Sequence, residues 1–268
     1  MPTLDTAACA GLMEALTAIG LSATQVVRQV GASGVRRKAD GSPVTAADEA
    51  AETVIRDGLK RLAPALPIIS EEHAAREKPE NPSATSGSYF LVDPLDGTRE
   101  FIAGRDEYTI NIAIVSDGAP MLGIITAPAL GIAWRGIVGR GAERIELAGD
   151  RNSMPTAIHA RPRPKTSELV IMVSRSHLDG GTSRYVESFA RAKLIQCGSS
   201  VKFCRLADGT ADLYPRFAPT HDWDIAAGHA ILTAAGGTVT APDGAPLVYG
   251  TSELLIPAFV ASADPITA

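Results

Sequence analysis

A chain of 268 residues, 45% apolar and 21% charged, is long enough to bury a sizeable core and too apolar to be disordered. Its formal net charge of −5 argues against non-specific binding to nucleic acid or to an anionic membrane surface, so a phosphate ligand would have to be held locally. Gly and Pro together make up about 16% of the chain against about 12% in an average protein, with no repeat, which marks many tight turns.

The three cysteines, Cys9, Cys197 and Cys204, form no Cys-x-x-Cys pair, and their odd number speaks against a disulfide framework. A reduced, cytoplasmic setting is expected. Asp5 and the lack of a basic stretch before the first apolar segment argue against a secretory signal. The longest uncharged runs, 118–134 and 225–242, approach the ~20 apolar residues of a membrane helix, but Gly, Pro, Thr and His interrupt them. They read as a hairpin and a helix–strand unit, and no integral membrane segment is expected.

Apolar residues recur with helical spacing over 12–30 and again over 48–62, after the turn-rich 39–43. Short apolar runs at 66–70 and 89–92 read as strands, and the polar, Pro-rich stretch 71–88 between them as a surface loop. Three β-branched segments, 108–116, 121–127 and 132–138, are separated by turn dipeptides and predict an antiparallel meander. The segment 139–165 is polar and Pro-rich, so a domain boundary is placed at its end, dividing 1–165 from 166–268. Beyond it, strands at 169–174, 192–196 and 211–214 alternate with helices at 182–190 and 200–207. A helix over 222–235, stopped by Gly236-Gly237, and strands at 238–240 and 258–261 close the chain. Two sheets sandwiched by helices, an αβαβα layering of the α/β class, bury all these faces most simply.

Chemistry concentrates in Asp93-Pro94-Leu95-Asp96-Gly97-Thr98. Pro94 biases Asp93 to an extended conformation and Gly97 permits a sharp turn, so both carboxylates can converge at a strand's end. Converging carboxylates repel unless protons or cations lie between them, and hard divalent ions are the usual solution. Residues 98–102 read as a short helix, whose first amides, at Gly97 and Thr98, would point at a bound anion. Taken alone, the stretch is equally readable as a surface turn, because Asp-Pro and Asp-Gly are common turn dipeptides. Its company shifts that balance: Glu71-Glu72 closes a short apolar run, Asp48 starts one helix, and Asp222 and Asp224 start another. None of the five histidines reads as a metal ligand, and there is no nucleophile elbow, zinc-protease or Walker motif.

Together these segments, from 38–48 to the Trp223-Asp224 helix, resemble the lithium-sensitive, magnesium-dependent sugar phosphatase or inositol monophosphatase superfamily. Three stretches, 98–102, 106–113 and 199–217, are most similar to its 3'(2'),5'-bisphosphate nucleotidase branch, the CysQ type. The resemblance implies the superfamily's αβαβα sandwich and two or three Mg²⁺ ions held by Glu71, Asp93, Asp96, Asp224 and the Leu95 carbonyl. It also implies that Asp48 orients the Thr98 hydroxyl, which helps deprotonate an activated water for in-line attack on phosphorus. Glu71 belongs to the same catalytic set.

For the substrate, the Gly97 and Thr98 amides are joined by Ser174, Arg175 and Lys202 as donors that can face a second phosphate, and Gly198-Ser199-Ser200 opens a helix whose amides can turn to the ligand, although solvated loop charges and a plain helix cap read the same way. Where inositol monophosphatases carry an acidic residue after the corresponding strand, this chain has Arg216, which suits a second phosphate better than a neutral polyol. The activity implied is removal of the 3'-phosphate of adenosine 3',5'-bisphosphate, giving AMP, with the sulfated analogue as a further substrate. Alternatives are an inositol monophosphatase or a fructose-1,6-bisphosphatase, and, from a different class, a non-catalytic metal-binding regulatory module. A purely structural cation site would need neither Thr98 nor Asp48. The partner expected is a small phosphate substrate, with no nucleic acid, for a monomer or homodimer.

Overall fold

The computed structural model describes residues 4–76, 87–148, 151–163, 168–176 and 178–264. The chain opens with α1 (Thr6–Val30), capped by the Asp5 carboxylate on the Ala8 amide at 2.8 Å. A two-stranded ribbon, β1 (Arg36–Arg37) and β2 (Pro43–Val44), leads to α2 (Ala46–Leu62). Then come β3 (Ile68–Ser70), the single turn α3 (Glu71–Ala74), β4 (Ser88–Asp96), α4 (Thr98–Ile102), β5 (Thr109–Ser116), β6 (Ala119–Ala127) and β7 (Ile132–Ile137). The first half ends with β8 (Gly141–Ala148), β9 (Arg151–Asn152) and β10 (Thr156–Ile158). The second half holds β11 (Leu169–Ser174), α5 (Gly180–Glu187), β12 (Ala192–Cys197), α6 (Val201–Ala207), β13 (Leu213–Arg216) and β14 (Thr220–His221). It closes with α7 (Asp222–Ala234), β15 (Thr238–Thr240), β16 (Leu255–Ile256) and β17 (Phe259–Ser262).

The larger sheet runs in the order β10-β8-β7-β6-β5-β4-β3, antiparallel throughout except that β3 lies parallel to β4. The smaller runs β12-β11-β13-β17-β15, with β11 parallel to both its neighbours. Alternation along the strands assigns the larger sheet's two faces. Phe90, Val92, Ile110, Ile112 and Ile124 pack against Leu16, Ala23, Ile55 and Leu59 of α1 and α2. Tyr89, Leu91, Val115, Ile125 and Trp134 face α6, α7 and the smaller sheet through Phe203, Ile231, Tyr214 and Phe259. The far face of the smaller sheet is covered by Val186 of α5 on Ile171, Val173 and Leu213. The result is the expected αβαβα sandwich, in which each fully buried large side chain contributes roughly 1.5–3 kcal/mol.

The helix α7 crosses the larger sheet so closely that a Cβ on Gly123 would lie 2.1 Å from the Ala227 carbonyl oxygen. Only glycine fits there, and the close approach fixes where the N-terminus of α7, with Asp224, meets the sheet.

One sequence expectation holds and several shift. The two long uncharged runs fold as the β6–β7 hairpin and as α7 followed by β15. Among the described residues the one helix long and apolar enough to cross a membrane is instead α1, whose Leu16, Ala23 and Val27 pack into the core. Stretch 71–88 was expected to be a loop, yet Glu71 opens the turn α3; residues 77–86 of it lie outside the described residues. The polar segment 139–165 contains β8, β9 and β10, although residue 165 itself lies outside the described residues. Its strand alternation was masked because Glu143, Arg144 and Glu146 form surface ion pairs, with Arg135 and with each other, around buried Ala142 and Ile145.

Candidate active site

The parallel pair β3 and β4 opens its C-terminal ends on one side, and there the acidic residues collect. Just past β3, Glu71 begins α3. β4 loses register with β5 between Asp93 and Asp96, where Pro94 lacks an N–H for the ladder. Asp93 Oδ1 accepts the Leu95 N–H at 3.0 Å, and the Leu95 carbonyl accepts the Thr98 hydroxyl at 3.1 Å. Gly97 turns the chain with φ 87°, and a Cβ there would press on the Glu107 carbonyl at 2.9 Å. Thr98 Oγ1 also donates to Asp48 Oδ1 at 3.1 Å. Asp48 is held in the first turn of α2, its Oδ2 accepting the Thr45 N–H at 2.9 Å and the Thr45 hydroxyl at 2.5 Å. Asp224 stands in the first turn of α7, accepting the Thr220 hydroxyl and the His221 N–H.

These groups crowd one another at low dielectric. Burial, then Glu71, Asp96 and Asp224, push the carboxyl of Asp93 well above the usual range. Burial and Asp224 raise Asp96 to about 7, against the pull of Lys202 and the Ser200 amide. Glu71 is raised by burial, which outweighs Lys38, and by Asp224. Burial also raises Asp48, despite its bonds from Thr45 and Thr98. Beside these carboxylates, and also facing the cavity, Lys38 Nζ bridges Glu71 and Glu72, each at 2.6 Å. Glu72, 3% exposed, is raised by burial to about 7.

A cavity of about 500 Å³ lies between this carboxylate wall and residues of β11, β13 and the 198–202 turn. Glu71, Asp96, Gly97, Thr98 and Asp224 line one side; Ser174, Gly198, Ser199, Ser200, Lys202 and Arg216 line the other. Asp93 and Leu95, each 1% exposed, and Asp48, 2% exposed, lie beneath the lining. Arg175 is not part of it, being paired with Glu107 through bonds of 2.7 and 3.0 Å. The amides of Gly198 and Ser200 do not point into the cavity as expected. They donate to Glu107 Oε2 at 2.9 Å and Asp96 Oδ2 at 2.6 Å, because carboxylates beside the turn accept them first. Lys202, only 2% exposed, donates to the Cys197 carbonyl at 3.2 Å and to the Ser199 carbonyl, with its ammonium 4.9 Å from the centre of the Tyr214 ring. Its charge therefore reaches the cavity from below, while Arg216, within electrostatic reach of Asp224 and Asp96, donates to the Ala218 and Pro219 carbonyls at 3.4 Å each.

Among the described residues no three Asp, Glu, His or Cys side chains already converge as a finished metal cage. The donor chemistry nevertheless fits a hard divalent ion: oxygen ligands only, several of them buried, with Glu71, Asp93 and Asp96 raised by burial and by neighbouring carboxylates. Sequence reasoning missed Lys38, Glu72, Arg99 and Glu107, and the His221–Trp223 ring stack (4.4 Å, 13°) on the cavity wall. The Glu71-Glu72 doublet hinted at the second carboxylate, but a solvated loop has the same appearance. His229, on α7, bonds through Nδ1 to the Tyr249 hydroxyl at 2.9 Å. Cys197 and Cys204 are buried free thiols, as expected.

The sequence profile of the inositol monophosphatase family matches residues 5–265 of the chain. The chain is 43% identical over 216 residues to the 3'(2'),5'-bisphosphate nucleotidase CysQ of Escherichia coli strain K12, covering 81% of this chain and 83% of that protein. It is 29% identical over 233 residues to the protein of the same name from Haemophilus influenzae, covering 86% and 84%. The crystal structure of CysQ from Bacteroides thetaiotaomicron, a bacterial member of the inositol monophosphatase family, superposes with a TM-score of 0.77 at 31% identity, over 96% of this chain and 98% of that one.

Proposed function

Because the chain belongs to the inositol monophosphatase family, we propose that it is a Mg²⁺-dependent 3'(2'),5'-bisphosphate nucleotidase, converting adenosine 3',5'-bisphosphate to AMP and phosphate. The observation that carries this reading is a single cavity with buried, mutually repelling carboxylates on one side and Lys202, Arg216 and Arg99 on its lining. A volume of about 500 Å³ suits a nucleotide-sized ligand. The inositol phosphate and fructose bisphosphate alternatives are not favoured, since the E. coli relative at 43% identity bears the nucleotidase name.

Glu71, Asp93, Asp96, Asp224 and the Leu95 carbonyl would hold Mg²⁺, two or three ions by family resemblance. When bound, Mg²⁺ supplies the positive charge that acidifies a water and offsets charge on the phosphoryl and leaving oxygens. The protein does the rest by placement. The Thr98 hydrogen is committed to Asp48 and the Leu95 carbonyl, which leaves the oxygen's lone pairs to accept a hydrogen from the attacking water. A threonine hydroxyl is too weak a base to act alone, so it orients the water while the buried, pKa-raised Asp48 carboxylate receives the proton through it. Gly97 sets the turn that aims Thr98. Across the cavity, Lys202 and Arg216 draw the second phosphate, with Ser174, Ser199 and Arg99 beside them, which orients the scissile ester toward the carboxylates.

The test is phosphate release, each with Mg²⁺, from adenosine 3',5'-bisphosphate, inositol 1-phosphate and fructose 1,6-bisphosphate. The nucleotide is expected to have the highest kcat/KM. A preference for inositol 1-phosphate of more than about tenfold, worth ~1.4 kcal/mol in the transition state, would overturn the substrate assignment.

A further inference from the structure

Glu107 stands where the two sides of the cavity cross, in the segment joining α4 to β5. Its carbonyl oxygen is wedged between two glycines: a Cβ on Gly97 would approach it to 2.9 Å, and one on Gly198 to 2.8 Å. Its carboxylate takes the Arg175 guanidinium in a two-point grip, Nε to Oε2 at 3.0 Å and one terminal nitrogen to Oε1 at 2.7 Å. Oε2 also accepts the Gly198 N–H at 2.9 Å. Arg175, which directly follows β11, is fixed in turn by the Gln196 carbonyl at 3.0 Å and by its own N–H on the Cys197 carbonyl at 3.2 Å. Nε and one terminal nitrogen of this guanidinium are thus held by Glu107 and the Gln196 carbonyl, and Arg175 lies off the cavity lining.

The gripped Gly198 leads directly into Ser199 and Ser200. Ser199 adopts φ 48°, a left-handed conformation that a non-glycine residue holds only when its neighbours impose it. Ser200 then donates its N–H to Asp96 Oδ2 at 2.6 Å and its hydroxyl to Asn111 at 2.7 Å. A shift of Gly198 would carry the Ser200 amide away from Asp96 and Ser199 away from the cavity wall.

We propose that Glu107, locked by Arg175, is a positioning residue that sets the Gly198–Ser200 turn against Asp96, and that Arg175 acts only through Glu107, not as a ligand for the second phosphate. The inference deepens the nucleotidase reading and rests on it for the choice of substrate. The pair is a quarter or more exposed, 28% at Arg175 and 25% at Glu107, so solvent screens it and it adds little to global stability. Its value lies in two-point geometry.

A double-mutant cycle on the full chain decides the matter, reading kcat, KM and the half-activating Mg²⁺ concentration for adenosine 3',5'-bisphosphate, with melting followed in parallel. Glu107→Ala and Arg175→Ala are each expected to lower kcat/KM about tenfold and to raise the Mg²⁺ requirement, as sub-ångström misplacement does. The double variant should be no worse than Glu107→Ala alone, because the two act as one unit. Glu107→Gln, which keeps one acceptor oxygen, should recover part of the loss. Additive losses of about a hundredfold in the double variant would mean that Arg175 meets the substrate independently, and would overturn the proposal. So would a Glu107→Ala protein within twofold of wild type. If the wild-type chain instead prefers inositol 1-phosphate, the nucleotide assignment fails, and the same cycle run on that ester still decides the positioning role.

Discussion

The side of the cavity built from β3, β4 and α7 is rich in carboxylates whose charges oppose one another, whereas the side built from residues 198–202 and β13 is rich in donors already satisfied by the protein. Asp93 and Asp96 sit in surroundings that resist their ionisation. Lys202, by contrast, is as buried as Asp48 but bonded to two carbonyls. One side stores electrostatic strain that a cation would relieve; the other is a finished framework that presents charge without having to rearrange. The contrast shows how one cavity can divide its work, with chemistry on the strained side and recognition on the satisfied one.

The largest effect should come from the strained side. Asp96→Asn is expected to reduce Mg²⁺-dependent phosphate release by at least about a thousandfold with the circular dichroism spectrum unchanged, because a metal site loses both charge and a ligand. Residual turnover within tenfold of wild type would break the division of roles. Thr98→Ala should lower kcat by roughly a hundredfold with a smaller change in KM, and Thr98→Ser should restore much of it, as fits a group that handles a proton. An increase in KM alone would move Thr98 to the recognition side.

On the satisfied side, Arg216→Ala is expected to raise KM about tenfold for the bisphosphate with kcat little changed, the signature of lost ground-state binding. Lys202→Met should add a loss of stability of about 1–3 kcal/mol, since the Cys197 and Ser199 carbonyls lose their donor. Urea unfolding would show whether the lysine is structural as well as electrostatic; an unchanged midpoint would mean that the carbonyls find other partners.

Two pH effects of opposite sign sharpen the contrast further. In chelator, the raised Asp96 carboxyl binds its proton more tightly folded than unfolded, so its contribution is full below about pH 4 and is lost as pH rises through about 7. Mg²⁺ should cancel that loss, and Asp96→Asn should remove it; a wild type–variant difference that does not vary between pH 5 and 8 in chelator would contradict the crowding. His229, away from the carboxylates, is lowered by burial from 6.5 to about 4. Its contribution is full above about 6.5 and declines as pH falls toward 4, so His229→Gln should flatten the acid side of the stability profile. An acid limb unaltered by that substitution would place the sensitivity elsewhere.

Much of this was legible in the sequence because local backbone chemistry dictated it. Pro94 and Gly97 force the break at the end of β4 that brings Asp93 and Asp96 to one place, and Asp48 lies in a helix-start pattern. The β5–β7 meander followed from β-branched runs punctuated by turns. The rest depended on contacts distant in sequence. Strand β8 was hidden because its charges form surface ion pairs that blur the alternation. Arg175 looks like a phosphate ligand until Glu107, 68 positions earlier, is seen to hold it. Likewise the amides of Gly198 and Ser200 read as free donors until the fold places carboxylates beside them. A side chain's type shows what it can bind, and only the fold shows what has already bound it.

The division of labour between the two sides is tested most directly by comparing kcat/KM for adenosine 3',5'-bisphosphate with that for adenosine 3'-monophosphate at saturating Mg²⁺. The two esters offer the same reacting phosphate and differ only in the group the cationic side would read. A preference for the bisphosphate of at least about tenfold, lost in Arg216→Ala, is predicted, equivalent to ~1.4 kcal/mol of recognition. Equal kcat/KM for the two in the wild-type protein would contradict the account.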